Sequence, residues 1–429
     1  MHSVLAKVDR EGEEQMATRT YFVDANLLDG EHPAKPGASV LVEDNRIALV
    51  ETGPVAPQSG DVVINCAGRT LMPGMVSGHW HPTYRDVTSA LMPPLGFERS
   101  PAAHAYVAAD SARKAIEAGV TSVVGANCPF DIEPALRDAV EEGLLVGPRM
   151  VPCSRDLITS GDSNDTLPYW WDARVLAGVR LCDGPEEFRK AVRDEIHRGA
   201  EMIKLFPTGG HGVRLPAEMM SMTRQELGAA VEAAHNLGAR ARAHVACKAG
   251  IMRCLEAGVD IIDHGDGLDE ECIQAMVETG AFLLPSIHGF SKVAEEFSAE
   301  DIQADPTVAH AVEGVREMCH TLPAAIAAGV RVCLGDDYGG AGLPHGSYGQ
   351  ELDIFVRKAS IPPLDVIRCA TVNGGQLFGR DDLGLIAEGY LADIIVVDGD
   401  PSEDVTVLGD ISNIATVVRD GKVLVNKIA

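Results

Sequence analysis

Six times between residues 119 and 335 a glycine stands immediately before a short apolar run. Gly119 precedes VTSVVGA, Gly199 precedes AEMIKLF and Gly238 precedes ARARAHVA. Gly258 precedes VDIID, Gly280 precedes AFLLPS and Gly329 precedes VRVCLG. Ala-Gly-Val itself recurs at 118–120, 257–259 and 328–330. An amphipathic stretch runs into each glycine, and glycine accepts the left-handed conformation that ends a helix. The rhythm therefore predicts helix, stop, buried strand. MPGMVSGH and RMVPCS add a first and a third strand, for eight in all. Strands that alternate with helices pair in parallel. Eight such units over roughly 300 residues predict an α/β fold, a closed (β/α)8 TIM-type barrel, with an open doubly wound sheet as the alternative.

In such a barrel, chemistry sits at the C-terminal ends of the strands. The first strand runs into His79-Trp80-His81. Side chains two apart on an extended chain project the same way, so both imidazoles aim at one point, as a divalent metal requires. Taken alone, His-x-His arises by chance. Later strand ends add Lys204 in MIKLFPTGG, His244 in RAHVA, His264 in IIDHGDG, and Asp336 with Asp337 in CLGDDYGG. Each is polar where a core residue is the default.

The order His-x-His, Lys, His, His, Asp on successive strands resembles the amidohydrolase superfamily. The flanking runs LMPGMVSGHWH and GLIAEGYLADIIVVDGDP agree, and the resemblance extends from residue 20 to the C-terminus. EMIKLFPTGG, the step from His244 to His264, and Pro344-His345-Gly346 point to its imidazolonepropionase-like, Xaa-Pro dipeptidase-like and ochratoxinase-type branch. The resemblance implies two divalent ions, zinc foremost, with His79, His81 and the eighth-strand Asp on one, and His244 and His264 on the other. Lys204, carboxylated by carbon dioxide, would bridge them; the plain alternative is an ammonium paired with a carboxylate. Relatives usually read Gly-Thr-Asp where this chain reads Gly-Asp-Asp. Asp337 is taken as the ligand and Asp336 as its neighbour, a choice the sequence does not force.

Such a site hydrolyses an amide-like C–N bond (amide, peptide, urea or carbamate) through a metal-bound hydroxide, with Asp337 carrying the proton to the leaving nitrogen. Lys204 and His288 join Asp337 as catalytic candidates. Tyr84, Tyr169, Trp171, His211 and His345 lie just beyond strand ends and are the substrate-binding candidates. The aromatic residues point to a small apolar or aromatic substrate, although Trp80 should face away from the metals. A deaminase or cyclic-amide hydrolase of the same superfamily is the alternative. VACKAG after His244 lacks the Glu that deaminases place there. A non-catalytic scaffold would have lost ligands, and none is missing.

Residues 20–70 and 385–429 read as short strands between Gly, Pro, Asn and Asp turns, with Asp420-Gly421 marking a hairpin. With the resemblance, they predict one small β-sandwich built from both termini around a barrel at 71–384, and 1–19 as a disordered extension. The formal net charge of -27 repels phosphate backbones and anionic lipid, so the partner expected is a small molecule, not nucleic acid or membrane. Ten scattered cysteines with no Cys-x-x-Cys pair read as free thiols, and no signal-peptide core is present, so a cytoplasmic location is expected. The resemblance implies a homo-oligomer, tetramer to octamer.

Overall fold

The computed structural model describes residues 19–87, 98–167, 170, 177–340 and 342–428. The N-terminal part supplies β1 (Arg19–Leu27), β2 (Lys35–Glu43), β3 (Arg46–Thr52), β4 (Val62–Asn65) and β5 (Thr70–Pro73). The middle supplies β6 (Met75–Trp80), β7 (Val120–Gly125), β8 (Arg149–Val151), β9 (Cys153–Ile158) and β10 (Val179–Leu181). It continues with β11 (Met202–Leu205), β12 (Arg240–Val245), β13 (Ile261–His264), β14 (Phe282–Leu284) and β15 (Arg331–Val332). The C-terminal part adds β16 (Ile394–Val397), β17 (Ile414–Arg419) and β18 (Lys422–Asn426).

Both termini share one sheet, ordered β18-β17-β16-β5-β1-β2-β3, with β4 also on β1. Its joint is the antiparallel pairing of β5 with β16, Leu71 opposite Val396. Two segments therefore sit differently from the sequence reading. Arg19, placed with the extension, opens β1. Leu71–Pro73, placed with the middle unit, belong to the terminal sheet, and Gly74 alone separates β5 from β6. The apolar run is continuous across Gly74, so hydropathy does not mark the change of sheet. The Asp420-Gly421 hairpin forms as expected, with Arg419 opposite Lys422.

The middle strands pair in parallel, in orders β6-β7-β8 and β10-β9-β11-β12-β13-β14-β15. β11 and β13 are buried throughout, as strands covered on both faces must be. All six glycines read as stops have positive φ, among them Gly258 at 86° after the helix Lys248–Ala257. The two parallel sheets meet where Gly78 N donates to Leu334 O at 2.7 Å and Cys128 N to Ser154 O at 3.1 Å. At the first contact a side chain on Gly335 is excluded, since its Cβ would lie 2.3 Å from the His79 nitrogen. This close approach sets the end of β6 against the segment after β15. All ten cysteines are free thiols. Among the described residues no helix is long and apolar enough to cross a membrane.

Candidate active site

Six strand-end residues converge at one end of the parallel strands. His79 lies in β6 and His81 one residue past it; Lys204 lies in β11, His244 in β12 and His264 at the end of β13. Asp337 follows β15. Asp337 Oδ1 stands 3.0 Å from Nε2 of both His79 and His81, and those two nitrogens are 3.1 Å apart. Donor atoms of His79, His264 and Asp337 all lie within 4.8 Å of one another. The His264 ring is 4.5 Å from that of His244 and 5.3 Å from that of His79.

Burial decides the charge of these groups. It pushes His81 down to about 4 and His244 and His264 well below the ordinary imidazole range, against the neighbouring carboxylates. Neutral imidazoles offer lone pairs, which is the form that binds a metal. Burial pushes the Asp337 carboxyl up, but His79 and His81 outweigh it and hold it well below the carboxylate range. Four buried ring nitrogens of the cluster, His79 Nδ1, His81 Nδ1, His244 Nε2 and His264 Nδ1, have no hydrogen-bond partner. An orphaned buried polar atom is costly and calls for a ligand. Neutral imidazole nitrogens and carboxylate oxygens around one space fit a divalent first-row ion. His264 (φ 68°) and His211 (φ 47°) are both held in the left-handed region, a cost of about 1–3 kcal/mol each that clusters at functional sites.

A model of the Amidohydrolase family matches residues 70–424. The chain belongs to this family. As an amidohydrolase it is a hydrolase acting on carbon–nitrogen bonds. It is 28% identical to ochratoxinase of Aspergillus niger, over 92% of this chain and 84% of that protein. Imidazolonepropionase of Nocardia farcinica is 24% identical, over 93% and 94% of the two chains. The crystal structure of a Xaa-Pro dipeptidase with bound methionine in its active site superposes with a TM-score of 0.85 at 27% identity, covering 95% of this chain and all of that one.

A cleft of about 520 Å³ opens over the amidohydrolase strand ends. Its lining includes an apolar set, Phe206, Val213, Phe290, Val293, Val308 and Leu343, and the charged residues Arg85, Asp86, Glu98 and Arg99. Tyr84 and His211, two of the substrate-binding candidates, line the cleft; Tyr84 stacks on His81 at 4.2 Å, and His211 stacks on His264 at 3.9 Å. His211 Nδ1 lies 3.1 Å from both oxygens of Asp266. Burial works against its charge, yet Asp266 outweighs burial and raises it above the ordinary value.

Two other expected residues are not brought to the cleft. The His288 ring turns to the Tyr338 hydroxyl, 3.5 Å away, while its backbone nitrogen donates to Asp336 at 2.8 Å. His345 braces the first strand end: its ring nitrogens meet the Tyr348 hydroxyl at 2.7 Å and the His81 carbonyl at 3.1 Å. His288 opens the helix His288–Glu296 and His345 lies in a turn, and neither lines the cleft. Tyr169 and Trp171 lie outside the described residues. Trp80 is buried, donates from Nε1 to Tyr348 at 2.9 Å and is not part of the cleft lining.

Sequence reasoning passed over three buried charges. Asp156 in β9 lines the cleft, with Asn164 donating to one oxygen at 2.9 Å and the other unpartnered; burial pushes it up to about 6. Asp263 precedes His264, and Arg242 lies two before His244 on the same face of β12. The available signal was a charged residue inside a strand that is buried along nearly all its length. Lys204 Nζ donates to Asp263 Oδ2 at 2.6 Å, the ion pair named above as the plain alternative for this lysine.

Proposed function

We propose that the chain is a metal-dependent hydrolase that cleaves an amide-like C–N bond of a small substrate with an apolar portion. The observation that carries this reading is the approach of Asp337 Oδ1 to within 3.0 Å of Nε2 of both His79 and His81. We read the two parallel sheets as one closed (β/α)8 barrel, with the terminal sheet as a small β-sandwich beside it. His79, His81 and Asp337 would hold one ion, and His244 and His264 a second. Lys204 would bridge them once carboxylated. Zinc is the first candidate for this donor set. Such ions lower the pKa of a water towards about 7 and polarise a carbonyl.

The chain's own groups supply the rest. Asp337 keeps its side chain 42% exposed towards the cleft, so a carboxylate oxygen is open to accept a proton from the attacking water. It then returns that proton to the departing nitrogen. His211, biased towards its charged form by Asp266, faces the same space and donates to the carbonyl oxygen. The apolar lining excludes water and seats an apolar side chain. The likeness to a Xaa-Pro dipeptidase with methionine bound in its active site suggests substrates whose amide joins an amino acid to another group.

The test is a hydrolysis screen of dipeptides, N-acyl amino acids, aryl amides and aryl ureas with zinc-, cobalt- and manganese-loaded protein. Elemental analysis of the same samples gives the stoichiometry. Turnover of at least one class, lost on chelation and restored by metal, is expected. Less than about half an ion per chain after loading with metal and bicarbonate sinks the reading.

A further inference from the structure

Beneath the ligand cluster lies a buried hub of charge. Asp263 and Arg242 are both fully inaccessible to solvent. Arg242 grips both oxygens of Asp263, with Nε 2.9 Å from Oδ2 and Nη2 on Oδ1. Its remaining nitrogen, Nη1, donates to the Gly78 carbonyl at 3.0 Å and to the Gly125 carbonyl. One guanidinium thus joins β12, β13, β6 and β7. Gly78 directly precedes His79. Asp263 Oδ2 also receives Lys204 Nζ, and its Oδ1 lies 3.4 Å from Nδ1 of His79.

We propose that Asp263, fixed by Arg242, is the positioning residue for Lys204 and His79: it carries the Nζ–H of Lys204 before and after carboxylation and faces the outer nitrogen of His79. This rests on the reading of Lys204 as a carboxylated bridge. Lys204 first gives up its ammonium proton to solvent, and the lone pair of the neutral amine then bonds the carbon of carbon dioxide. A C=O electron pair moves onto oxygen, one N–H proton leaves to solvent, and the product is –NH–COO⁻. One N–H survives. Bonded to Asp263, it turns both carbamate oxygens away from the hub and towards the cleft, where His244 and His264 have unpartnered nitrogens. On the other oxygen, Asp263 orients the His79 ring so that Nε2 points at Asp337, as carboxylates behind ligating histidines do. A bidentate guanidinium suits the role because it leaves the carboxylate one fixed orientation.

The test uses the full chain loaded with zinc and ¹³C-bicarbonate, with the carbamate carbon followed by NMR and zinc by elemental analysis. Asp263→Asn keeps the shape but replaces one acceptor oxygen with a donor, which faces either Lys204 or Arg242 donor to donor. The expected result is a carbamate signal in the parent chain. In the variant the bicarbonate needed for half-maximal signal, and the zinc affinity, shift by about 10- to 100-fold at unchanged circular dichroism. If the single variant does not fold, Asp263→Leu with Arg242→Met removes both charges together and is read the same way. An equal bicarbonate dependence in parent and variant overturns the role of Asp263 while leaving the bridge intact. Absence of the signal in the parent overturns the bridge, and this inference with it.

Discussion

Asp337 Oδ1 lies 3.0 Å from His81 Nε2, although the two residues are 256 positions apart in the chain. Removing that oxygen breaks the cluster at its centre. Asp337→Ala should lose an ion and the proton carrier together. We expect a fall in kcat of roughly a thousandfold or more, several kcal/mol of transition-state stabilisation. Steady-state kinetics with parallel elemental analysis checks this, and a variant with parent activity contradicts it.

On the proposed reading, His244 would hold the second ion and take no part in the first. Its Nε2 is buried and unpartnered, and it is not one of the donors clustered with Asp337. His244→Ala should leave the His79–His81–Asp337 ion bound and release the other. Elemental analysis is expected to read about one ion per chain. Two ions retained would show that His244 is not a ligand.

The apolar lining should set substrate preference. Leu343 is buried on the cleft and belongs to no ligand set. Leu343→Ala should lower kcat/KM for the preferred apolar substrate by about tenfold, mainly through KM, because it removes binding shared by ground and transition states. Metal content should not change.

Asp162 gives a pH signature of its own. Burial pushes its carboxyl up to about 7, and one oxygen has no partner. An unfolded Asp titrates near 3.9. The folded value is the higher one, so this group's contribution is fully present below about 4 and is lost as pH rises from about 4 to about 7. Asp162→Asn is neutral throughout. It should match the parent near pH 4 and be more stable at pH 8 by on the order of 2–4 kcal/mol, read as a gap in Tm that opens with pH.

Tyr348 links the brace behind the first strand end. Its hydroxyl accepts from Trp80 Nε1 at 2.9 Å and meets His345 Nδ1 at 2.7 Å. Tyr348→Phe leaves two buried polar groups without a partner and should cost about 1–3 kcal/mol in denaturant unfolding. Metal stoichiometry at low temperature should stay that of the parent.

The sequence by itself determined the alternation of helix and buried strand and the residues at strand ends. Both rest on local physics. A glycine past a helix takes positive φ wherever it stands, and alternate side chains of a strand share a face, so Gly258, His79 and His81 were legible without their surroundings. Only the tertiary structure decided what depends on how the strands and loops meet. Asp263 reaches Lys204 across 59 residues and Arg242 across 21, because β11, β12 and β13 lie in register. The His288 ring went to the Tyr338 hydroxyl and the His345 ring to the His81 carbonyl, since the direction of a side chain beyond a strand end follows from backbone rotations and neighbours the linear chain does not specify. Leu71–Pro73 went to the terminal sheet because hydrogen bonding to β16 decides the partner of an apolar strand, and apolar sequence alone does not.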